Sequence, residues 1–299
     1  MNSTATSLPS TAIATPPRFR DLIALTKPRI TVTVLATTMG GYFLGHQPHD
    51  GLRLAATVVG TWLVVGGANT LNMYLERESD RYMARTSQRP LPAGRMSPGV
   101  ALYFGLGLTL VALLLLTFAV NPAAGLLAAI ANTSYVLLYT PLKPRSSVAL
   151  WVGAVPGAIP PLLGWAASTG GVDRVGLSLF AILFFWQIPH FHAIALFRQE
   201  DYARAGIKVL PLERGDQVTR QRIALWSVVL LATSLSPYFF GLSSAVYLAI
   251  ALILGLSFTA FAFLGLRKSV EPRWAHKVFG FSIPYIIALF AALLATRVP

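Results

Sequence analysis

Nine stretches of about twenty apolar residues, separated by short segments that carry nearly all the charge, constrain this chain more than any other feature. They lie near 24–45, 54–75, 99–119, 122–140, 148–167, 175–197, 223–241, 243–266 and 279–296. A hydrocarbon core of ~30 Å takes ~20 residues of helix to cross. In lipid a backbone must satisfy its own hydrogen bonds, so stretches of this length are helices. The expected fold class is all-α: a polytopic membrane protein, a bundle of nine transmembrane helices. A content of 55% hydrophobic against 12% charged residues excludes an ordinary soluble globule.

A formal charge of +13 would point a soluble chain toward nucleic acid, but here the basic residues sit in clusters between apolar runs. That is a membrane pattern, and the expected environment is the lipid bilayer with no nucleic acid partner. Of the 24 Lys and Arg residues, only Arg53, Arg174 and Arg297 fall on one side of the alternating spans. The positive-inside rule then sets the N-terminus and the even-numbered exits in the cytoplasm of a bacterial inner membrane, or in the matrix of a mitochondrion. Residues 1–21 read as a disordered cytoplasmic tail and 22–299 as the transmembrane domain. The Ser-, Thr-, Ala- and Pro-rich start has no basic head before an apolar run, so it does not resemble a cleaved secretory signal. Without cysteine, disulfides, thiolate catalysis and cysteine metal sites are excluded.

Spans 3, 4, 5, 7, 8 and 9 contain no Asp, Glu, Lys or Arg. Ion-moving transporters keep buried ionisable groups along their pathway. This chain collects its charge at one mouth. The two longest polar loops follow spans 2 and 6, a four-helix period that hints at an internal duplication.

The first loop reads NTLNMYLERESDRYMARTSQRPLPAGR. Asn72, Glu76 and Asp80 recur every four residues and line one face if the helix continues. Amide and carboxylate oxygens suit Mg²⁺, which one or two carboxylates usually hold together with substrate phosphates. Arg77, Arg81, Arg85 and Arg89 follow at the same interval, and guanidinium forks recognise phosphate. An Mg²⁺-diphosphate complex fits this set. So does a plain basic loop with i,i+4 ion pairs, although Asn72, inside an apolar span, needs a partner.

The second loop, FFWQIPHFHAIALFRQEDYARAGIKVLP, carries Gln187, His190 and His192, then Glu200, Asp201, Arg204 and Lys208. Glu200 and Asp201 are further metal candidates, and Arg204 and Lys208 are further phosphate ligands. His190 reads as a hydrogen-bonded structural histidine or as a contact to a haem-like substrate. Trp186 and Phe184, Phe185 and Phe191 read as packing, or as π faces for an allylic cation. Lys27 and Arg29 in LTKPRIT, and Tyr139, Thr140, Lys143 and Arg145 in YTPLKPR, reach the same mouth. GAVPGAIPPLLGW in span 5 reads as a kinked or broken helix, or as a close-packing surface.

In combination, KPRIT, N-x-x-x-E-x-x-x-D-x-x-M-x-R-T-x-x-R-P-L-P-A-G, YTPLKP, GAIPPLLGW and WQIPHF…DYARAGIKVLP resemble the protohaem IX farnesyltransferase (haem O synthase) family of UbiA-type intramembrane prenyltransferases. The resemblance runs from about residue 22 to the last span. It implies a nine-helix bundle around a central cavity that joins farnesyl diphosphate to a vinyl group of haem B, with addition of water, giving haem O. It also implies Mg²⁺ as cofactor, held by Asn72, Glu76, Asp80 and Asp201. Lys27, Arg29, Arg85, Arg89, Lys143 and Lys208 would bind the diphosphate, and His190 and Trp186 the haem. Haem A synthase or a terminal oxidase would be assembly partners. Arg198 and Tyr202 stand where quinone prenyltransferases carry a D-x-x-x-D second motif, which favours haem over a quinone precursor as acceptor. Ser147, Val148 and Ala149 stand where a threonine and an asparagine are expected.

Overall fold

The structure, a computed structural model, describes residues 18–45, 50–83 and 86–298. Its helices are α1 (Phe19–Leu25), α2 (Pro28–Leu44), α3 (Gly51–Glu76), α4 (Pro98–Leu115), α5 (Pro122–Thr133), the single turn α6 (Thr140–Leu142), α7 (Ala149–Thr169), α8 (Arg174–Phe197), α9 (Gln199–Arg204), α10 (Leu210–Phe239), α11 (Ala245–Phe263) and α12 (Trp274–Ala295). Local chemistry sets many of the starts. Asp50 accepts from Leu52 and Arg53 N–H, Asn121 from Ala124 N–H, and Asp173 from Gly176 N–H. Each satisfies orphan donors in a first turn. Proline opens α2, α4 and α5, where its missing N–H loses nothing.

Eight helices, not the nine expected, are long and apolar enough to cross a membrane among the described residues. The shortfall is α2, with 17 residues, ~25 Å of helix at 1.5 Å per residue. It is trimmed at both ends by the backbone: Lys27 is left-handed (φ 49°) and Gly45 extended. Of the tail expected at 1–21, residues 1–17 lie outside the described residues. The remainder belongs to α1, where Asp21 is buried against Arg95.

Packing repeats a pattern. α3 lies between α2 and α4, with α5 beside α4; α8 lies between α7 and α10, with α11 beside α10. α12 packs on α8 and α11 and touches α2. The halves join at the crossing of α2 and α7, where a side chain on Gly41 would run into the Pro161 carbonyl and one on Gly164 into the Thr38 carbonyl. Only glycine lets two backbones approach so closely. α7 itself runs unbroken through Pro156, Pro160 and Pro161, so its glycines and prolines serve packing. Large apolar side chains such as Leu110 and Phe118 on the α4 span and Ile253 on α11 point outward, as a lipid-facing surface requires.

Candidate active site

The expected helical ladder stops short. α3 ends at Glu76, and Asp80 sits in a following 3₁₀ turn, Ser79–Tyr82, after which Met83 is extended. The four-residue spacing persists in the sequence past the end of the helix, so Asp80 and the arginines do not continue one face. Asp80 is fully buried all the same, fixed by the Thr86 hydroxyl donating to its carbonyl at 2.8 Å.

Each oxygen-bearing residue of the first constellation has a cationic partner drawn from elsewhere in the sequence. Lys27 Nζ donates to Asn72 Oδ1 at 3.0 Å, and Asn72 Nδ2 donates to Thr140 Oγ1 at 3.0 Å. Glu76 accepts from Lys143 Nζ at 2.7 Å. Asp80 Oδ2 accepts from Arg89 Nη1 at 2.6 Å, while Asp80 Oδ1 is buried with no partner among the described residues. Three cations thus face two carboxylates, leaving Lys27 with only an amide. An anion is what such a set lacks.

The chain builds the Thr140–Lys143 side of this cluster with a π-helical segment, Ser134–Tyr139, preceding Pro141. The Thr140 hydroxyl donates to Tyr135 O at 2.8 Å, and its oxygen accepts from Asn72. Widened turns of this kind re-aim side chains at functional sites. The Tyr139 ring lies 4.6 Å below the Lys143 ammonium. Burial opposes the charge on Lys143, but Tyr139 and Glu76 outweigh it and hold the ammonium above its usual range.

The remaining candidates divide. Lys208 is exposed, yet its N–H donates to Lys143 O at 3.0 Å, tying the second loop to the first mouth. Arg29 is exposed, and Arg85 lies outside the described residues. Asp201, on α9, accepts from Arg198 at 3.1 Å and Arg204 at 2.8 Å. Hydrogen bonds from Arg198, then Arg204, hold it below the usual carboxylate range. His190 and Trp186 stack at 4.6 Å and both engage α12, the indole N–H donating to Ser282 O at 2.7 Å. The Ser282 hydroxyl donates to Phe279 O at 2.7 Å, so its oxygen accepts from His190 Nδ1 at 2.6 Å. That order makes Nε2 the unprotonated nitrogen of His190.

Sequence reading did not find Ser282, 92 residues from His190, because nothing local marks it. It also missed Asp21 and Gln88, which Arg95 joins: Nε to Asp21 at 3.2 Å and Nη2 to Gln88 O at 3.1 Å. Arg95 thereby clasps the loop that presents Arg89.

The UbiA prenyltransferase family model matches residues 34–293. A Myxococcus xanthus protein named Protoheme IX farnesyltransferase is 48% identical over 299 residues, covering 100% of this chain and 99% of that one. A Sorangium cellulosum protein of the same name is 51% identical over 242 residues, covering 81% and 86%. Among solved structures, one concerning digeranylgeranylglyceryl phosphate synthase aligns with TM-score 0.81 at 19% identity over 93% of this chain and 97% of that one. A UbiA homolog from Archaeoglobus fulgidus bound to GPP and Mg²⁺ aligns with TM-score 0.68 at 17% identity, covering 92% and 100%. At these identities the structural matches speak for the fold.

Proposed function

Because the chain belongs to the UbiA prenyltransferase family, we propose that it transfers the farnesyl group of farnesyl diphosphate to a vinyl group of haem B, with addition of water, giving haem O. The observation that carries the donor half is the mouth cluster, three cations facing two carboxylates around a buried amide. Support for the acceptor is the near-complete length over which the chain matches proteins named for that reaction.

The residues fit Mg²⁺. No three His, Cys, Asp or Glu converge among the described residues, but Mg²⁺ needs only one or two carboxylates beside substrate phosphates. Asp80 Oδ1, buried and unclaimed, is an oxygen such an ion would use, with Asn72 and Glu76 as neighbouring donors and Asp201 completing the set. Bound there, Mg²⁺ would draw negative charge from the diphosphate as it leaves.

Lys27, Lys143 and Arg89 grip the diphosphate oxygens, with Arg29, Arg85 and Lys208 around them, and stabilise the charge that develops on the leaving group. The C–O bond of the donor breaks and the diphosphate departs with the electron pair. The allylic cation that remains is taken up by the vinyl group, forming a carbon–carbon bond. Water then adds to the neighbouring carbon and releases a proton. Apolar side chains of the bundle keep bulk water from quenching the cation. His190 and Trp186 contact the haem.

In this reading α2 completes a ring of nine spans around a cavity, the basic mouth faces the cytoplasm, and haem A synthase or a terminal oxidase is an assembly partner. Membranes containing the protein, given haem B, farnesyl diphosphate and Mg²⁺, should yield haem O by mass spectrometry. Labelling of a different acceptor with no farnesylated haem refutes the assignment.

A further inference from the structure

A groove of about 790 Å³ opens where α8 ends, α9 begins and α12 begins. This is an ordinary size for a small-molecule site. One wall is aromatic: Phe197 and His276 stack at 4.1 Å with a 19° interplanar angle, and Phe279 meets Phe197 edge-on at 5.7 Å. Phe279 also lies 4.8 Å from the ring of His190, so the wall continues inward to the His190–Trp186 stack. Arg198, Gln199, Glu200 and Asp201 form the polar rim, with Arg198 its one cation among the described residues. The imidazole of His276 is exposed and makes no hydrogen bond among the described residues.

We propose that this groove seats the tetrapyrrole acceptor, the macrocycle face against Phe197, His276 and Phe279 and a propionate carboxylate on Arg198. The proposal rests on the haem-farnesylating reading above. Flat aromatic surfaces suit a flat macrocycle, and a guanidinium suits a carboxylate. Asp201 is bonded by Arg204 at 2.8 Å as well as by Arg198 at 3.1 Å, so it keeps one arginine when Arg198 turns to a propionate. Asp201, counted among the Mg²⁺ ligands in that reading, lies on the same rim.

The test uses the full chain in nanodiscs, with Arg198→Gln, His276→Ala and Phe197→Leu. Arg198→Gln should raise the KM for haem B about ten-fold or more, the worth of a charged hydrogen bond, and the KM for farnesyl diphosphate by less. Haem B dimethyl ester, with its carboxylates masked, should be a poorer substrate than haem B for the wild type and an equal one for Arg198→Gln. His276→Ala and Phe197→Leu should weaken haem binding followed by the Soret band without farnesyl diphosphate. Equal use of ester and free acid by the wild type, or wild-type haem affinity in all three variants, overturns the groove while leaving the farnesylation reading intact. A wild type that makes no farnesylated haem overturns that reading first.

Discussion

Asp80→Asn separates the role of a ligand from that of a structural partner. The side chain is fully buried and its Oδ2 accepts from Arg89 at 2.6 Å. Removing one partner of a fully buried pair costs ~3–5 kcal/mol, but Arg89 keeps 23% of its side chain exposed and asparagine can still accept its hydrogen bond. Replacing a charged bond by a neutral one is then worth about 1–2 kcal/mol, a drop of a few degrees in unfolding temperature. Activity should fall much further, by ~10²–10³-fold, the usual effect of removing one element of charge stabilisation around a leaving group. Haem O formation by mass spectrometry, beside thermal unfolding in detergent, reads both numbers. The double variant Asp80→Asn/Arg89→Gln decides between roles: if the pair only holds the loop together, removing both charges restores activity. We expect a further loss, and recovery would refute the reasoning.

Lys143→Met should raise the KM for farnesyl diphosphate about ten-fold or more in steady-state assays, and adding Glu76→Gln should not rescue it, since the ammonium serves substrate as well as Glu76. Gly164→Ala drives a methyl group into the Thr38 carbonyl and should cost ~1–3 kcal/mol of stability, visible as a lowered unfolding temperature. Gly107→Ala, which meets nothing within 4 Å, should lower it not at all. Arg95→Ala removes a partner from the buried Asp21 carboxylate and from the Gln88 carbonyl, and the effect should appear as faster hydrogen exchange over residues 86–96.

Hydropathy located all eight long helices, because a lipid environment ties apolar length directly to helix. What it blurred were ends. The first stretch read as a span from 24, yet Lys27 takes a left-handed backbone and splits α1 from α2. The last polar residues before 223 read as loop, whereas α10 already runs from Leu210, broken at Gly215. Asn72, Glu76, Lys143 and Arg89 were legible as chemistry because such side chains are expensive near an apolar mouth. Their pairing was not, since which cation meets which oxygen depends on how α2, α3 and α6 come together. The ladder to Asp80 misled for a related reason: periodicity can outlast the helix that gives it meaning.

The mouth cluster draws its paired residues from Lys27 to Lys143, whereas the groove is lined from Leu196 to Phe279. The paired residues of the mouth and the lining of the groove therefore come from different stretches of the polypeptide, tied together where the Lys208 N–H donates to the Lys143 carbonyl at 3.0 Å. During synthesis, Lys27, Asn72, Glu76, Asp80, Arg89 and Lys143 are all made before α8, whereas Asp201 and Lys208 follow it.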